Sequence, residues 1–392
     1  MTFAILASIL GAALLLEICL THRQLSRAVK RRVTRPPQLR SYPSVTVIRP
    51  VRGADVGAAD NFAAALDTGY PGDIETIFLF DEADDPGYPI ARQVVHEHLA
   101  AGRPGRAEVR VSGTPPRGVT GKLHAMMVGE QLASNELIAF GDSDTRPDHD
   151  VLRVAVEELL CTPGAGCTFP PVVVDGEAQK AGDVGYAMLI NAWYGPSVAL
   201  AARGTDGALP FIMGQLMVFK RETLLAIGGV ACAKGQLVDD MYIGTCVAKA
   251  GYKNIMTQHP LRIATGGMTI GGFVKLFRRW LLFSRNGLPQ SFTWPMWVRG
   301  VEFWIGLLTT GMALATGHWL VALVPAAALA AFALSLAKIG ERFGGAAIQG
   351  KHMLLPFAIP VIAPMVVVNT WFNKQVDWRG RAYTLDGHAR LA

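Results

Sequence analysis

Apolar and polar positions sort the chain into two membrane-like ends and an alternating middle. From Thr2 to Leu20 every residue is apolar or small except Glu17, and nineteen residues at about 1.5 Å each nearly match a hydrocarbon core of roughly 30 Å. The run has no basic start and is followed by cations rather than a small-x-small cleavage site, so it predicts a retained span, not a cleaved signal peptide. A second apolar block, Val301 to Ala337, is thirty-seven residues long and is broken only by Glu302 and by Gly317-His318, which predicts two short spans joined by a tight turn. A third, Leu354 to Phe372, carries Pro356, Pro360 and Pro364 at every fourth position. Those rings remove backbone donors from one face, so a kinked or re-entrant segment is as open as a plain crossing.

In the middle, strand-like apolar runs start near Val45 (VTVIRP), Ile74 (IETIFLF), Ala107 (AEVRVS) and Glu136 (ELIAF), at spacings of 29, 33 and 29 residues. Helical patterns fill the gaps at Ala58 to Leu66, Ile90 to Leu99 and Gly121 to Ala133. A repeat of about thirty residues is the length of a βαβ unit, which predicts an α/β fold with a doubly wound, mostly parallel sheet. Such sheets bind ligands at the carboxyl ends of their strands. The expected organisation is an N-terminal transmembrane anchor (1–20), a juxtamembrane stretch (21–43), the α/β domain with an interfacial helix (44–290), about three membrane segments (291–372) and a tail (373–392).

Composition sharpens this picture. The 392 residues are 51% hydrophobic and 17% charged, against about 25% charged in soluble proteins, as expected if part of the chain is in lipid. The formal charge of +6 comes from 37 Lys and Arg against 31 Asp and Glu, and seven of the cations (Arg23, Arg27, Lys30, Arg31, Arg32, Arg35, Arg40) fall within eighteen residues that contain no acid. Without that collar the rest is near neutral, which excludes a spread nucleic-acid surface and favours contact with anionic lipid. By the positive-inside rule the collar puts everything after Leu20 in the cytoplasm. If all four apolar segments cross, the C-terminus lies outside, whereas the tail's Arg379 and Arg381 favour the cytoplasm. Five cysteines, odd in number and without a CxxC pair, argue against a disulfide framework or a zinc knuckle.

Three strand ends carry chemistry: Pro50-Val51-Arg52-Gly53, the acidic FDEADDP with Asp81 and Glu82, and Asp142-Ser143-Asp144. No GxGxxG and no GxxxxGK[ST] is present, so neither a Rossmann fingerprint nor a P-loop is predicted. Acidic strand ends would repel a phosphate unless a divalent cation lies between them. In an extended backbone Asp142 and Asp144 point to the same side and can share one hard cation, magnesium or manganese, together with a diphosphate. An ordinary polar turn explains the same residues. Further on, Asp239-Asp240 precedes a helical stretch from Met241 to Ala250. Asp239 can serve as the N-cap, while the second carboxylate is free to act as a general base. The segment FVKLFRRWLLFS (Phe273 to Ser284) reads as a membrane-surface helix, or as one in which Arg279 and Trp280 hold a diphosphate and stack on a substrate.

Taken in order, the P-x-x-G strand end, the acidic strand end, the lysine-bearing helix start, D-S-D, the acidic pair before a helix, R-W and the terminal apolar spans resemble the ceramide glucosyltransferases. These are membrane-anchored GT-A glycosyltransferases of family 21, related to family 2. The resemblance covers roughly residues 44 to 285, and VDWRGRAYTL (Val376 to Leu385) also looks like the family's C-terminal segment. It implies that Asp81 or Glu82 contacts the nucleotide base, beside Pro50, Arg52 and Gly53, and that Lys122 lies near the donor phosphates. It further implies that Asp142 and Asp144 hold Mg2+ or Mn2+, and that Asp240, with Asp239 beside it, is the catalytic base. Gly214 and Gln215 fall where relatives line the donor and acceptor pocket. Arg279 and Trp280 match the end of the family's (Q/R)xxRW motif, whose first position here is Leu276, with Lys275 or Arg278 as possible substitutes.

The resemblance implies transfer of a sugar from a UDP-sugar to a lipid hydroxyl, glucose to ceramide, at a crevice held on the cytoplasmic leaflet by the collar, the Phe273 to Ser284 helix and an aromatic rim at Phe292, Trp294 and Trp297. Rival expectations are the same chemistry on a hopanoid, a diacylglycerol or a polyprenyl phosphate, a processive polysaccharide synthase, and a non-catalytic membrane scaffold. Nothing in the sequence sets an oligomeric state.

Overall fold

A computed structural model describes residues 2–30, 38–288, 290–385 and 390–391. The chain forms two compact units. One, built from Arg32–Val172, Gly204–Ala264 and Lys374–Ala392, is organised around a sheet; the other, from Met1–Arg31, Val173–Arg203 and Thr265–Asn373, is helical.

In the sheet unit, numbering along the chain, the strands are β1 (Val45–Val51), β2 (Ile74–Phe80), β3 (Arg106–Val111), β4 (Leu137–Gly141), β5 (Thr145–Arg146) and β6 (Ala165–Phe169). After β7 (Val172–Asp175), at the junction of the units, come β8 (Ala208–Leu209), β9 (Leu216–Lys220), β10 (Lys253–Met256), β11 (Leu261–Ala264), β12 (Gln375–Trp378) and β13 (Arg381–Thr384). The main sheet runs β3-β2-β1-β4-β9-β6-β10-β8. Its first four strands are parallel, β9 runs antiparallel to β4 and β6, and β10 is parallel to β6. All four early strand expectations thus begin within a residue of their observed starts, and the doubly wound parallel half is present.

Why these runs make strands is visible in their burial. Nearly every β1 residue is buried, because helices cover both faces of a parallel layer. Val45 and Val47 pack with Leu152, Ala155 and Val156 of α5 (Val151–Cys161). Val51, Phe78 and Phe80 pack with Phe62 of α2 (Ala58–Leu66) and Val95 of α3 (Gly87–Ala100). On the opposite face Ile48 and Leu79 meet α4 (Gly121–Leu132) at Gly129, where an added Cβ would stand 2.4 Å from Ile48 Cγ2. The small residue lets α4 lie close against the sheet, and that seating fixes where the start of α4 points.

The helical unit contains α1 (Thr2–Ala28), α6 (Ala181–Ala187), a π-helical turn (Met188–Tyr194), α7 (Gly195–Arg203), α10 (Ile270–Gly287), α11 (Gln290–Ala315), α12 (Trp319–Phe343) and α13 (Leu355–Phe372). α1 packs closely on α12: an added Cβ on Gly11 would stand 2.8 Å from the Pro325 nitrogen, and the His22 ring bonds Ser335 Oγ at 2.9 Å. The turn at Gly317, with φ 77°, separates α11 from α12 as expected. α13 is one continuous helix through Pro360 and Pro364. Among the described residues three helices, α1, α12 and α13, are long and apolar enough to cross a membrane, and α11 adds a shorter apolar stretch, Gly300–Ala315. Asp183, buried, accepts backbone N–H bonds from Gln179, Lys180, Gly267 and Met268, tying the entry of α10 to α6. Of the collar, Arg31, Arg32 and Arg35 lie outside the described residues, and the side chains of Phe292, Trp294 and Trp297 do also.

Filling the α4 contact tests this packing. Gly129→Leu is expected to destabilise the protein by about 1–3 kcal/mol through overpacking against Ile48 and Leu79, read as a lower thermal midpoint of the detergent-solubilised protein.

Candidate active site

The first site residue comes from the start of α4. Thr120 caps the helix, its Oγ1 accepting the Leu123 N–H at 3.1 Å, so Lys122 falls in the first turn. A cation there opposes the helix dipole. It is held by acids instead: Lys122 Nζ pairs with Asp142 Oδ1 at 2.6 Å and donates to the Gly214 carbonyl at 3.2 Å. Burial works against its charge, but Asp142, Asp239 and Asp240 together raise its pKa above the ordinary value.

Asp142-Ser143-Asp144 directly follows β4, in a turn closed by the Thr145 N–H to the Asp142 carbonyl at 3.3 Å, not in extended strand. The reasoning from strand alternation therefore does not apply here; the turn itself keeps the two carboxylates within electrostatic reach of each other. Beneath it lies Arg49, the one cation of β1 and 2% exposed, whose guanidinium donates to Thr145 Oγ1 and the Thr145 carbonyl, each at 3.1 Å. Burial lowers the Arg49 pKa to about 10, and Asp142, Asp144 and Asp55 limit the fall. Asp144 Oδ1 is buried with no hydrogen-bond partner among the described residues. Burial, reinforced by Asp142 and Asp55, pushes the Asp144 carboxyl up to about 6. An orphaned anionic oxygen beside a second carboxylate is a hard-oxygen donor set that fits a divalent cation. Among the described residues no three His, Cys, Asp or Glu side chains form a self-sufficient cage, so such an ion would draw its other ligands from water or substrate.

Asp239 and Asp240 open α9 (Asp239–Lys249), with Val238 rather than Asp239 at the cap position. Asp239 Oδ1 accepts the Asp240 N–H at 2.9 Å, and its Oδ2 is buried without a partner among the described residues. Asp240 accepts the Met241 N–H at 2.8 Å on Oδ1 and the Gly214 N–H at 2.7 Å on Oδ2. Burial first, then repulsion from Asp239, pushes Asp240 up to about 6, while Lys122 pulls it down. Gly214 sits in the turn before β9, and a Cβ there would stand 2.5 Å from Asp240 Oδ2, so only glycine leaves that carboxylate its place. Its neighbour Gln215 accepts the Asp142 N–H at 2.9 Å through its carbonyl and keeps Oε1 buried and unpartnered among the described residues.

Beyond the ends of β1 and β2 lies a cleft of about 410 Å³, lined by Arg52, Gly53, Ala54, Asp81, Glu82, Asp84, Asp85, Pro86 and Arg379. Asp81 is buried and Glu82 exposed. Asp81 Oδ2 pairs with Arg52 at 2.6 Å and with Arg381 at 2.9 Å. Gly53, at φ 79°, gives its N–H to Asp85, which also accepts the Gly87 N–H that opens α3. Pro50 is the penultimate β1 residue, opposite Leu79.

The sheet unit thus gathers Arg52, Gly53, Asp81, Glu82, Lys122, Asp142, Asp144, Gly214, Gln215, Asp239 and Asp240 at the strand ends. Arg279 and Trp280 belong to α10 of the helical unit, where the Trp280 ring packs edge-on to Tyr194 with centroids 5.0 Å apart. Sequence reasoning missed Arg49, Asp55, Arg379 and Arg381. Arg49 had a signal, a lone cation inside an apolar strand. The tail arginines lie in VDWRGRAYTL, which resembles the family's C-terminal segment but was given no role at the site, and Asp55 had no signal beyond its charge.

A mixed α/β unit with acidic strand ends, alongside apolar helices, is the architecture of a GT-A-type glycosyltransferase. The solved structure of the mannosyltransferase PcManGT from Pyrobaculum calidifontis, in complex with GDP-Man and Mn2+, shares the fold with a TM-score of 0.57 at 19% identity, over 95% of this chain and 99% of that one. The profile of Glycosyl transferase family 21 matches residues 7–391, and the chain belongs to that family. Ceramide glucosyltransferase 3 of Caenorhabditis elegans is 24% identical over 255 residues, covering 64% of this chain and 52% of that protein. A UDP-forming cellulose synthase catalytic polypeptide of Dictyostelium discoideum is 23% identical over 198 residues, 49% of this chain and 18% of that protein. The chain spans about half the length of the first of these relatives and less of the second.

Asp144 gives a test with a definite sign. Its carboxyl binds a proton more tightly folded, near 6, than unfolded, near 3.8, so its contribution to stability falls as pH rises through that window. Asp144→Asn is expected to raise the thermal midpoint by a few degrees at pH 8 and to lose that gain below about pH 4. Excess Mn2+ is expected to raise the wild-type midpoint and to leave that of Asp144→Asn unchanged.

Proposed function

We propose that the protein is a membrane-bound inverting hexosyltransferase that moves a sugar, glucose, from a UDP-sugar to the primary hydroxyl of a lipid, ceramide. The observation that carries this reading is the single acidic crevice in which Lys122 joins Asp142 to the Asp239-Asp240 pair. On this reading Asp240 takes the proton from the acceptor hydroxyl as the oxygen attacks the anomeric carbon, in line with the departing diphosphate. A carboxyl held near 6 is ionised at neutral pH yet basic enough to accept that proton. The Gly214 and Met241 N–H groups each hold one of its oxygens, fixing the carboxylate while leaving it lone pairs for the hydroxyl.

Asp142 and Asp144 would hold Mg2+ or Mn2+, which when bound would offset charge on the leaving diphosphate. Lys122 supplies a further cation beside Asp142. Pro50, Arg52, Gly53, Asp81 and Glu82 would take the nucleoside, Gly214, Gln215 and Trp280 the acceptor, and Arg279 with Trp280 the end of the donor diphosphate. The domain limits are those expected from sequence, with the α/β domain cytoplasmic and held to an anionic leaflet by the collar. Gly204–Ala264 and Lys374–Ala392 belong to the same sheet unit, so this reading takes the tail as cytoplasmic as well.

Purified protein with UDP-glucose, Mg2+ or Mn2+ and ceramide is expected to form a glycolipid of inverted anomeric configuration, with hopanoid and diacylglycerol as competing acceptors. Asp240→Asn is expected to lower kcat by about 10²–10⁴-fold. As pH falls through about 6, Asp240 takes up a proton and the wild-type rate should fall with it. Undiminished transfer by Asp240→Asn would remove the assignment of the base.

A further inference from the structure

The tail returns to the acidic strand ends as a two-stranded hairpin, β12 and β13, whose turn is Arg379-Gly380. Both turn residues have positive φ, 54° and 73°. Such a turn favours Asn-Gly or Gly-Gly, and an arginine in the left-handed region costs of order 1 kcal/mol. A charged side chain kept at a strained position points to a task for that side chain.

The Arg379 guanidinium lines the 410 Å³ cleft. It makes a two-pronged pair with Asp55, Nη2 to Oδ2 being 3.0 Å, and donates to the Arg52 carbonyl at 3.1 Å, while Arg52 Nε donates back to the Arg379 carbonyl at 2.8 Å. Asp55 in turn accepts from Ser143, the middle residue of the D-S-D turn, at 2.7 Å. Asp142 and Asp144 act on Arg379 electrostatically, so it lies within reach of the carboxylates assigned to the cation as well as of the nucleoside cleft. Four of the nine cleft-lining residues are carboxylates, Asp81, Glu82, Asp84 and Asp85, and two are cations, Arg52 and Arg379. Arg52 is committed to Asp81. On the donor reading above, with the base end at Asp81 and the phosphates toward Asp142 and Asp144, Arg379 is the cleft-lining cation that also interacts with those two carboxylates.

We propose that the C-terminal hairpin Gln375–Thr384 is a strap of the donor site and that Arg379 is a donor-binding residue whose guanidinium takes the diphosphate, exchanging Asp55 for phosphate oxygens. The assignment rests on the nucleotide-sugar reading above and extends the donor site to the far end of the chain. Arg381, paired with Asp81, anchors the second strand of the strap. The planar fork that now grips one carboxylate matches phosphate equally well.

Calorimetric titration of the full-length protein in detergent with UDP and with uridine, both in Mn2+, tests the assignment. Arg379→Ala is expected to weaken UDP binding by about tenfold or more while uridine binding stays unchanged, and Arg379→Lys to fall between. Asp55→Asn removes the same clip but leaves the cation, so UDP affinity should be kept or increased. Wild-type UDP affinity in Arg379→Ala overturns the strap and leaves the donor reading intact. Equal losses of UDP and uridine binding in Arg379→Ala and Asp55→Asn also overturn it, showing a purely structural clip. A wild-type protein that binds no nucleoside diphosphate removes the donor reading and the strap together.

Discussion

Lys122 stands where three carboxylates would otherwise repel one another. Asp142 is 2.6 Å away, and Asp142, Asp239 and Asp240 together outweigh the burial that would discharge an ammonium. Without that cation the β4 turn and the start of α9 would carry like charge toward the same crevice in a partly desolvated setting, where an unpaired buried charge is expensive. The remaining geometry serves to keep this ammonium in place. Thr120 sets where α4 begins, Gly129 lets the helix lie against β1 and β2, and the Gly214 carbonyl accepts a hydrogen bond from the Lys122 ammonium.

The compensation is incomplete, and the residue of strain lies at the atoms assigned to chemistry. Asp144 and Asp240 both remain near 6, and one oxygen each of Asp144 and Asp239 is buried without a partner among the described residues. A fold optimised for stability alone would replace such groups, since well-packed apolar residues are often no worse than a buried ionic network. Arg49 shows how far the chain goes to keep them: a fully charged group is placed inside a central parallel strand, under the turn it supports. Unsatisfied carboxylates, held in register by buried cations, are what a site needs if its remaining ligands arrive with the substrate.

Much of the sheet unit was legible in sequence because a parallel layer buries both faces and so writes each strand as a continuous apolar run. The expected starts at Val45 and Ile74 coincide with the observed ones, and those near Ala107 and Glu136 are one residue off. The apolar run around β9 is less legible: the strand begins only at Leu216, because Gly214 and Gln215 turn to meet Asp240 and Asp142. Local hydrophobicity does not record a carboxylate twenty-six residues ahead that accepts a backbone N–H. Asp55 was invisible for a related reason. Its partners are Ser143 and Arg379, 88 and 324 positions away, and no periodicity links them.

Arg379 and Arg381 extend the same logic to the end of the chain. Net charge over the body is close to zero, yet the strand ends concentrate acids, so the cations that offset them must come from elsewhere. Lys122 comes from the helix that follows β3, Arg49 from within β1, and the last two from a hairpin reached only after the apolar helices have been built. Counter-charges of such different sequence origin tie the acidic site to the whole sheet unit: its carboxylates have their full set of partners only with the tail in place, Arg379 at Asp55 and Arg381 beside Arg52 at Asp81.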